Sequence, residues 1–397
     1  MSGHHANNVN PRFAMTTLRQ LYSATHCDTW SATTLSSMHW RPARTLAPDD
    51  SMTALGKRRG RTWAAWMVTW ALVLSSGAAH AWSAQGHALI GAIADAQLNA
   101  HAAREVGALL GMKLQVAATW ADCVKDVSPG PRGFRYVPDP RWHAACQAFE
   151  TTRGKARMQD FVRRNWSNCT RSGQASACHK AYHFTDVAIG HDHYQRGYVG
   201  SSDHDIVNAL QATLAVLRGE PAPAPFSIKD KTEALLLLSH FVGDVHQPLH
   251  VGAVYLDRHG RVLDPDAAAA PFDPSTATHG GNSIAVGATD LHSEWDTIPT
   301  ALAAMPVAAR WLAAASAIPV TAGGMADWPT AWASATLQVA RAAFNGISFA
   351  PKGDAAGRWT GRFVDRAAYV ERKDALQIEQ LTTAGARLAQ LLNAIWP

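Results

Sequence analysis

Apolar residues recur every three or four positions over much of the chain, the spacing that collects them on one face of an α-helix. The segments with this spacing are residues 88–98, 102–110, 158–166, 206–217, 231–245, 331–344 and 367–395. The alternation typical of β-strands is confined to three short segments, which are residues 251–255, 260–263 and 282–286. The pattern predicts an all-α fold with a small β ribbon.

Two segments interrupt the helical pattern. Residues 264–279 are rich in Ala, Pro and Asp and are predicted to form an exposed loop, while residues 221–225 form a proline-rich linker between helices. From residue 82 onward the chain contains no internal repeat, and its amino-acid composition does not change along its length. Residues 82–397 are therefore predicted to form one mainly helical domain.

The N-terminal part has the order of an export signal. Basic residues at positions 57, 58, 59 and 61 precede an apolar run at residues 63–74, and small residues follow up to Ala81. This order predicts a cleaved signal peptide at residues 52–81, starting at Met52 and cut after Ala81, and therefore a secreted or periplasmic protein. The alternative is an uncleaved membrane anchor. Residues 1–51 are expected to be a disordered leader or a mis-called start.

The net charge of +5 comes from this N-terminal part. Eight of the 36 Lys and Arg residues, but only three of the 31 Asp and Glu residues, precede Trp82, so the rest of the chain carries 28 of each. The charge balance therefore does not indicate an extended basic surface of the kind that binds nucleic acid. Any binding of phosphate must come from metals and local patches.

Five cysteines are present, of which Cys27 lies in the leader. The other four are Cys123, Cys146, Cys169 and Cys178. An even number in an exported chain favours two disulfides, and four cysteines can pair in three ways. Because Cys169 and Cys178 are nine residues apart in a polar segment, we expect them to pair, which leaves Cys123 with Cys146. The absence of C-x-x-C spacing argues against a zinc site made of thiolates.

The histidine spacing indicates metal chemistry. His240 and Asp244 are four residues apart on a predicted helix, so both side chains project from one face. Pro248 is expected to end the helix, so that His250 approaches from another direction. His292 and Asp296 repeat the spacing of four. A single pair of this kind is more often a salt bridge, but two pairs and a third histidine predict a multi-zinc hydrolase.

These residues belong to a longer series of motifs, and the chain resembles the S1/P1 nuclease family of zinc-dependent single-strand-specific nucleases and 3′-nucleotidases. The matching segments are residues 82–87, 118–122, 182–186, 240–250, 280–282 and 291–297, in the family's order. The resemblance implies a mainly helical domain of the zinc phospholipase C and single-strand nuclease type. It also implies a monomer that cleaves single-stranded DNA, RNA and 3′-nucleotides and leaves 5′-phosphorylated products.

The resemblance implies three zinc ions per chain. The first would be bound by Asp122, His183, His240 and Asp244, the second by His250, His292 and Asp296, and the third by the α-amine and carbonyl of Trp82 with His87 and Asp244. Export would then matter for the chemistry, because the amine of Trp82 is free only after cleavage.

Two catalytic residues are implied beside the metals. Asp122 is expected to orient the attacking water, in addition to binding metal. Lys125 stands where the family usually carries an arginine. Lysine keeps the positive charge but lacks the planar guanidinium group, which can donate two hydrogen bonds to one phosphate. Arg132 or Arg135 could supply a guanidinium group instead.

The resemblance also implies a base-binding site. Phe184 is expected to stack on a base and Asp186 to accept hydrogen bonds from its edge, with Asn282 as a further substrate contact. The structural alternative is a buried core phenylalanine and a carboxylate that caps a helix. No role is assigned to seven other histidines, which are His143, His179, His191, His193, His204, His246 and His279.

Two other classes of protein compete with a nuclease. A zinc phospholipase C would have its first histidine farther from the N-terminal tryptophan and typically a glutamate as last ligand, whereas this chain has His87 and Asp296. A non-catalytic zinc-binding protein would need closed coordination.

Overall fold

The computed structural model describes residues 82–169, 177–267, 271–354 and 356–397. The predicted leader at residues 1–51 and the predicted signal peptide at residues 52–81 lie outside the described residues.

Helices dominate the described part of the chain. They are α1 (Ala84–Asp95), α2 (Ala100–Leu110), α3 (Leu114–Ala117), α4 (Trp120–Cys123), α5 (His143–Cys146), α6 (Thr152–Arg164), α7 (Cys178–Ala181), α8 (Ile206–Leu217), α9 (Lys231–Asp244), α10 (Leu291–Asp296), α11 (Ala309–Ser316), α12 (Trp328–Phe344) and α13 (Arg366–Ile395). A 3-10 turn at Pro248–His250 follows α9.

The strands are short and form four small sheets. They are β1 (Val127–Gly130), β2 (Gly133–Tyr136), β3 (Val187–Ala188), β4 (Gly252–Ala253), β5 (Tyr255–Leu256), β6 (Val262–Leu263), β7 (Ile284–Val286), β8 (Thr289–Asp290), β9 (Ile347–Ala350) and β10 (Trp359–Phe363). The largest sheet has the order β8-β7-β10-β9, with β7 and β10 parallel. The pairs β1–β2 and β5–β6 are antiparallel, and β3–β4 is parallel.

Helix α9 lies at the centre of the main hydrophobic core. It is apolar on nearly all sides, and every residue from Glu233 to Asp244 is buried. A helix of this kind needs neighbours all round, and α1, α2, α8 and α13 pack against it. The side chain of Asp230 caps its first turn by accepting a hydrogen bond from the Glu233 amide at 2.8 Å. The polar residues on α9 are thus carried into the interior.

Two disulfides tie short elements to the core. Cys123 at the end of α4 is bonded to Cys146 at the end of α5, and Cys169 is bonded to Cys178 at the start of α7. These partners are the ones expected from the spacing of the cysteines. Cys123 directly follows Asp122, and Cys178 lies five residues before His183, so both disulfides are close to residues of the motifs.

The mainly helical fold class is confirmed, and all seven predicted helices are present. Helix α8 has the predicted bounds, residues 206–217, and the other six have shifted ends. Pro248 does not itself end α9, which stops at Asp244, but begins the next 3-10 turn. The strand predicted at residues 251–255 is divided into β4 and β5 at Val254. The hairpin β1–β2 and the pair β9–β10 were not predicted, because strands of four or five residues are too short for their alternation to be told from chance. Among the described residues, no helix is long and apolar enough to cross a bilayer.

Candidate metal centre

A buried carboxylate at the end of α9 is surrounded by imidazoles from three parts of the chain. Asp244 Oδ2 lies 2.8 Å from His183 Nδ1 and 3.1 Å from His240 Nε2. Asp244 Oδ1 lies 3.3 Å from His87 Nε2. The rings of His87 and His240 stack with their centroids 3.7 Å apart. One carboxylate is therefore shared by two groups of nitrogen donors.

The orientation of His240 is fixed by the main chain. Its Nδ1 donates a hydrogen bond to the Ala118 carbonyl oxygen at 2.6 Å, which turns Nε2 toward Asp244 and places it 3.7 Å from Asp122 Oδ1. Burial lowers the pKa of His240, but the two carboxylates outweigh it and raise the pKa above the usual value. The same negative potential favours a bound metal cation.

A second group pairs His250 with His292. The Nδ1 atoms of both rings donate to carbonyl oxygens, that of His250 to His183 at 2.7 Å and that of His292 to Gly280 at 2.8 Å. Burial lowers the pKa of both rings, that of His292 to about 3, and a neutral ring whose Nδ1 donates carries its lone pair on Nε2. Their Nε2 lone pairs then face each other at 3.1 Å. Two facing lone pairs repel unless a cation lies between them.

The carboxylate of Asp296 completes this second group. Its Oδ2 lies 3.7 Å from His292 Nε2, four residues earlier on α10. Its Oδ1 accepts a hydrogen bond from Gln247 Nε2 at 2.8 Å, which fixes its direction. Burial raises the pKa of Asp296 well above its usual value, and a neighbouring cation would relieve that cost.

The donor atoms have spacings that suit a metal. Three buried groups have all their donor atoms within 4.8 Å of one another, and they are His87/Asp122/His240, His183/His240/Asp244 and His250/His292/Asp296. Tetrahedral Zn²⁺ with bonds of about 2.0–2.1 Å would separate its ligand atoms by about 3.3 Å. All eight side chains expected to bind metal thus lie in these groups.

Two glycines make room for this arrangement. A Cβ atom on Gly243 would lie 2.9 Å from His87 Nδ1 and 2.9 Å from Ile90 Cδ1, so α1 approaches α9 closely only at a glycine. Gly280 has φ +56°, and a Cβ there would lie 2.1 Å from the Leu249 carbonyl oxygen. Its own carbonyl can therefore reach His292.

Trp82 is anchored beside the same carboxylates. Its indole is fully buried, and Nε1 donates to the Gly243 carbonyl oxygen at 3.0 Å. The next residue, Ser83, donates its amide to the carbonyl oxygen of Asp296 at 3.0 Å. The main chain of Trp82 is therefore held between the ends of α9 and α10.

A family model described as S1/P1 Nuclease matches residues 82–397, which include every donor group above. The chain belongs to the S1/P1 nuclease family. Endonuclease 4 of Arabidopsis thaliana is 38% identical over 71 residues, a match that spans 17% of this chain and 16% of the plant protein. The likeness to that relative thus concerns a short part of each sequence.

In this member of the S1/P1 nuclease family, a cleft opens beside the donor groups. Its lining residues are Lys125, Asp126, Asp139, Arg141, Lys180, His183, Phe184, Asp186, Leu249, His250, His279, Asn282 and His292. Phe184 is 38% exposed, which excludes the alternative of a buried core phenylalanine. Burial raises the pKa of Asp186 to about 7, although the Gly280 amide opposes the shift. An exposed ring and a buried carboxyl group thus lie next to metal donors.

Lys125 also points into this cleft. Its Nζ donates to Asp122 Oδ1 at 2.7 Å, and its side chain is only 11% exposed. Of the two arginines considered as substitutes, neither Arg132 nor Arg135 lines the cleft. The position of the family's usual arginine is therefore occupied by a cation that already contacts a carboxylate of the donor groups.

Sequence reasoning did not identify the groups that orient the ligands. Ala118, Gln247 and Gly280 lie within the matching segments, but the sequence pattern assigns them no role, because it does not show which carbonyl oxygens and amides point toward the donors. His246 faces away from the donor groups, with Nδ1 donating to Val242 O at 2.7 Å and Nε2 accepting from Arg387 at 2.8 Å.

A further group of His191, Asp264 and Asp266 lies outside the cleft. His191 Nε2 lies 2.7 Å from Asp266 Oδ2, and the other oxygen of Asp266 accepts from the Val199 amide. These contacts join two surface segments and account for the group without a metal.

Proposed function

We propose that the protein, once it begins at Trp82, is a three-zinc nuclease and 3′-nucleotidase. It would hydrolyse P–O3′ bonds of single-stranded DNA and RNA and leave 5′-phosphorylated products. The observation that supports this most is the pair of neutral rings, His250 and His292, whose Nε2 lone pairs face each other in the cleft that also exposes Phe184. Family membership agrees with this activity.

The first two zinc ions have their donors within the groups described. His183, His240 and Asp244, joined by Asp122, would bind one ion, and His250, His292 and Asp296 would bind another. Zinc at such sites lowers the pKa of bound water and neutralises phosphoryl oxygens.

Residues of the chain direct this chemistry. Asp122, bonded to Lys125, is placed to orient the water and accept its proton. Lys125 brings a positive charge to the scissile phosphate from the same side.

The third zinc ion depends on the chain terminus. Its donors would be the Trp82 α-amine and carbonyl oxygen, His87 and the shared Asp244. His87 is fully buried, and its Nε2 lies 3.3 Å from Asp244 Oδ1, yet neither ring nitrogen makes a hydrogen bond within the described part of the chain. Burial lowers its pKa to about 4. A buried neutral imidazole with a free nitrogen suits a metal ligand.

Substrate recognition would use the exposed face of Phe184. A base stacked there gains about 1–3 kcal/mol whatever its identity, which suits a nuclease of low sequence preference. Asp186 would accept from the base edge and Asn282 would contact the same nucleotide. Stacking requires an unpaired base, so single strands are favoured.

Processing and location complete the proposal. Residues 82–397 would be the working domain, exported by the signal at residues 52–81 and free of stable membrane insertion after cleavage. The two disulfides fit an oxidising compartment outside the cytoplasm. The working form is proposed to be a monomer.

One comparison of substrates tests the function. Protein beginning at Trp82 is incubated with single-stranded DNA, double-stranded DNA, a 3′-nucleotide, a 5′-nucleotide and phosphatidylcholine, with and without a chelator. We expect chelator-sensitive cleavage of single strands and of the 3′-nucleotide, with about three zinc equivalents by mass spectrometry. Cleavage of phosphatidylcholine alone would indicate a phospholipase C, and zinc without any cleavage would indicate a binding protein.

A further inference from the structure

Three long cationic side chains line the cleft, and they differ in their partners. Arg141 Nε donates to both carboxylate oxygens of Asp139 at 3.0 Å. Lys125 is bonded to Asp122. The third cation, Lys180, makes no hydrogen bond or ion pair through its ammonium group with any residue in the described part of the chain. Its charge is therefore available to an anion.

The backbone that carries Lys180 is firmly held. The preceding Cys178 is in the disulfide with Cys169, and its amide donates to Trp166 O at 3.0 Å. The His179 amide donates to Asn165 O at 3.1 Å. The side chain of Lys180 is exposed, so its ammonium group can reach a ligand in the cleft without rearrangement of the backbone.

The charge of Lys180 is also close to that of Lys125. Desolvation and the repulsion by Lys125 lower the pKa of Lys180, and the opposing attraction of Asp126 is weaker. Two ammonium groups that share one cleft make an anion more favourable there than either group alone. Because Lys125 already lies against Asp122, the unsatisfied part of this charge is at Lys180.

We propose that Lys180 binds a second phosphate of an oligonucleotide, next along the strand from the phosphate at the metal groups. This inference rests on the proposed nuclease function. A mononucleotide with a single phosphate at the metals has no group for Lys180, whereas a longer strand always brings one. Lys180 therefore favours oligonucleotides over 3′-nucleotides.

The test compares two substrates across three variants. Lys180→Gln removes the charge, Lys180→Arg keeps it, and Lys229→Gln is the control, since Lys229 is 65% exposed and does not line the cleft. For Lys180→Gln we expect kcat/KM to fall about three- to tenfold on a single-stranded oligothymidylate and to stay unchanged on a 3′-nucleotide. Lys180→Arg should restore the value.

Binding supplies an independent measurement. The affinity for a phosphorothioate oligothymidylate, which resists cleavage, is measured over a range of salt concentrations. Loss of one phosphate contact should reduce the steepness of the plot of the logarithm of the binding constant against the logarithm of the salt concentration by about 0.7 for a single strand. Zinc content should be unchanged.

Two results would overturn the inference alone: unchanged oligonucleotide kinetics and salt slope in Lys180→Gln, or an equal loss on both substrates. A wild-type protein that cleaves neither substrate would overturn the proposed function and this inference together. The activity of the wild type therefore distinguishes the two failures.

Discussion

The oxygen atoms of Asp244 contact three different imidazoles, those of His87, His183 and His240, at 2.8 to 3.3 Å. By contrast, Asp296 contacts only His292 among the donor nitrogens, at 3.7 Å, and its other oxygen is bonded to Gln247. Both carboxylates are buried, and these contacts support the proposal that Asp244 bridges two metal ions while Asp296 serves one.

This difference predicts unequal losses of metal. Asp244→Asn, which preserves volume but removes the charge, should reduce the zinc content by more than one equivalent. Asp296→Asn, the matched variant, should remove about one. Zinc is measured by mass spectrometry after dialysis, with circular dichroism to verify folding. Loss of a single equivalent from both variants would contradict the bridging role of Asp244.

A buried histidine outside the metal groups should control acid stability. His179 is 1% exposed, and neither ring nitrogen is hydrogen-bonded to any residue that the structure describes. Burial lowers its pKa from 6.5 to about 3. Between these values the unfolded chain binds a proton that the folded protein excludes, so the free energy of unfolding falls as the pH falls below 6.5. The loss from this group is about 2 kcal/mol at pH 5.

The variant His179→Phe should lack this part of the pH dependence. Urea unfolding at pH 7 and pH 5 would measure it, and the loss of stability on acidification should be about 2 kcal/mol smaller in the variant. Protonation of the metal ligands contributes in both proteins and cancels in the comparison. An equal loss in both would show that His179 is protonated in the folded state.

At the scale of elements, the site depends on how closely helices approach one another. Helix α1 brings His87 against α9 at Gly243, where a Cβ atom would meet both His87 and Ile90 at 2.9 Å. Both contacts are with side chains of α1, which is itself packed against α13. A residue larger than glycine must therefore displace the histidine or separate the helices.

Substitution of this glycine should affect the metal more than the fold. Gly243→Ala is expected to lower the zinc content by about one equivalent, because His87 is moved away from Asp244. The control is Gly107→Ala on α2, where a Cβ atom meets nothing within 4 Å and the helix should gain about 0.5–1 kcal/mol. Zinc analysis and thermal unfolding measure both effects. Full zinc content in Gly243→Ala would show that His87 tolerates the displacement.

At the scale of the whole molecule, the proposed third metal site combines Trp82 with segments that are distant in the chain. The Trp82 indole is bonded to Gly243 and the Ser83 amide to Asp296, so this segment is held between the ends of α9 and α10. In the uncleaved chain the nitrogen of Trp82 belongs to a peptide bond. Such a nitrogen is a poor metal donor because its lone pair is delocalised, whereas a free amine loses a proton readily to a metal.

Retention of the leader should therefore inactivate the enzyme. A form starting at Met52, or one with Gly-Ser joined to Trp82, is expected to have activity lower by at least about tenfold than protein starting at Trp82. Activity and zinc content are measured at equal zinc concentration. Comparable rates would exclude the terminal amine as a ligand and cleavage as an activation step.

The sequence by itself determined the long helices and the pairs of ligands within them. Helical periodicity and the i,i+4 spacing are local properties, so the amino-acid pattern alone predicts α9 with His240 and Asp244. The spacing also singled out His292 and Asp296, although the six-residue helix α10 that carries them was not among the predicted helices. The resemblance of motifs added the remaining donors, such as His87 and Asp122, which lie in the same groups.

The tertiary structure alone decided which groups orient those donors and which face the cleft. The carbonyl of Ala118 is 122 positions from His240 in the chain, and the exposure of Phe184 and the unpaired charge of Lys180 depend on all the segments around them. The parallel pairing of β7 with β10, in which Ile284 lies opposite Trp359, likewise joins distant segments of the chain. Local patterns carry no information about such contacts, because burial, partners and exposure arise only when distant segments of the chain pack together.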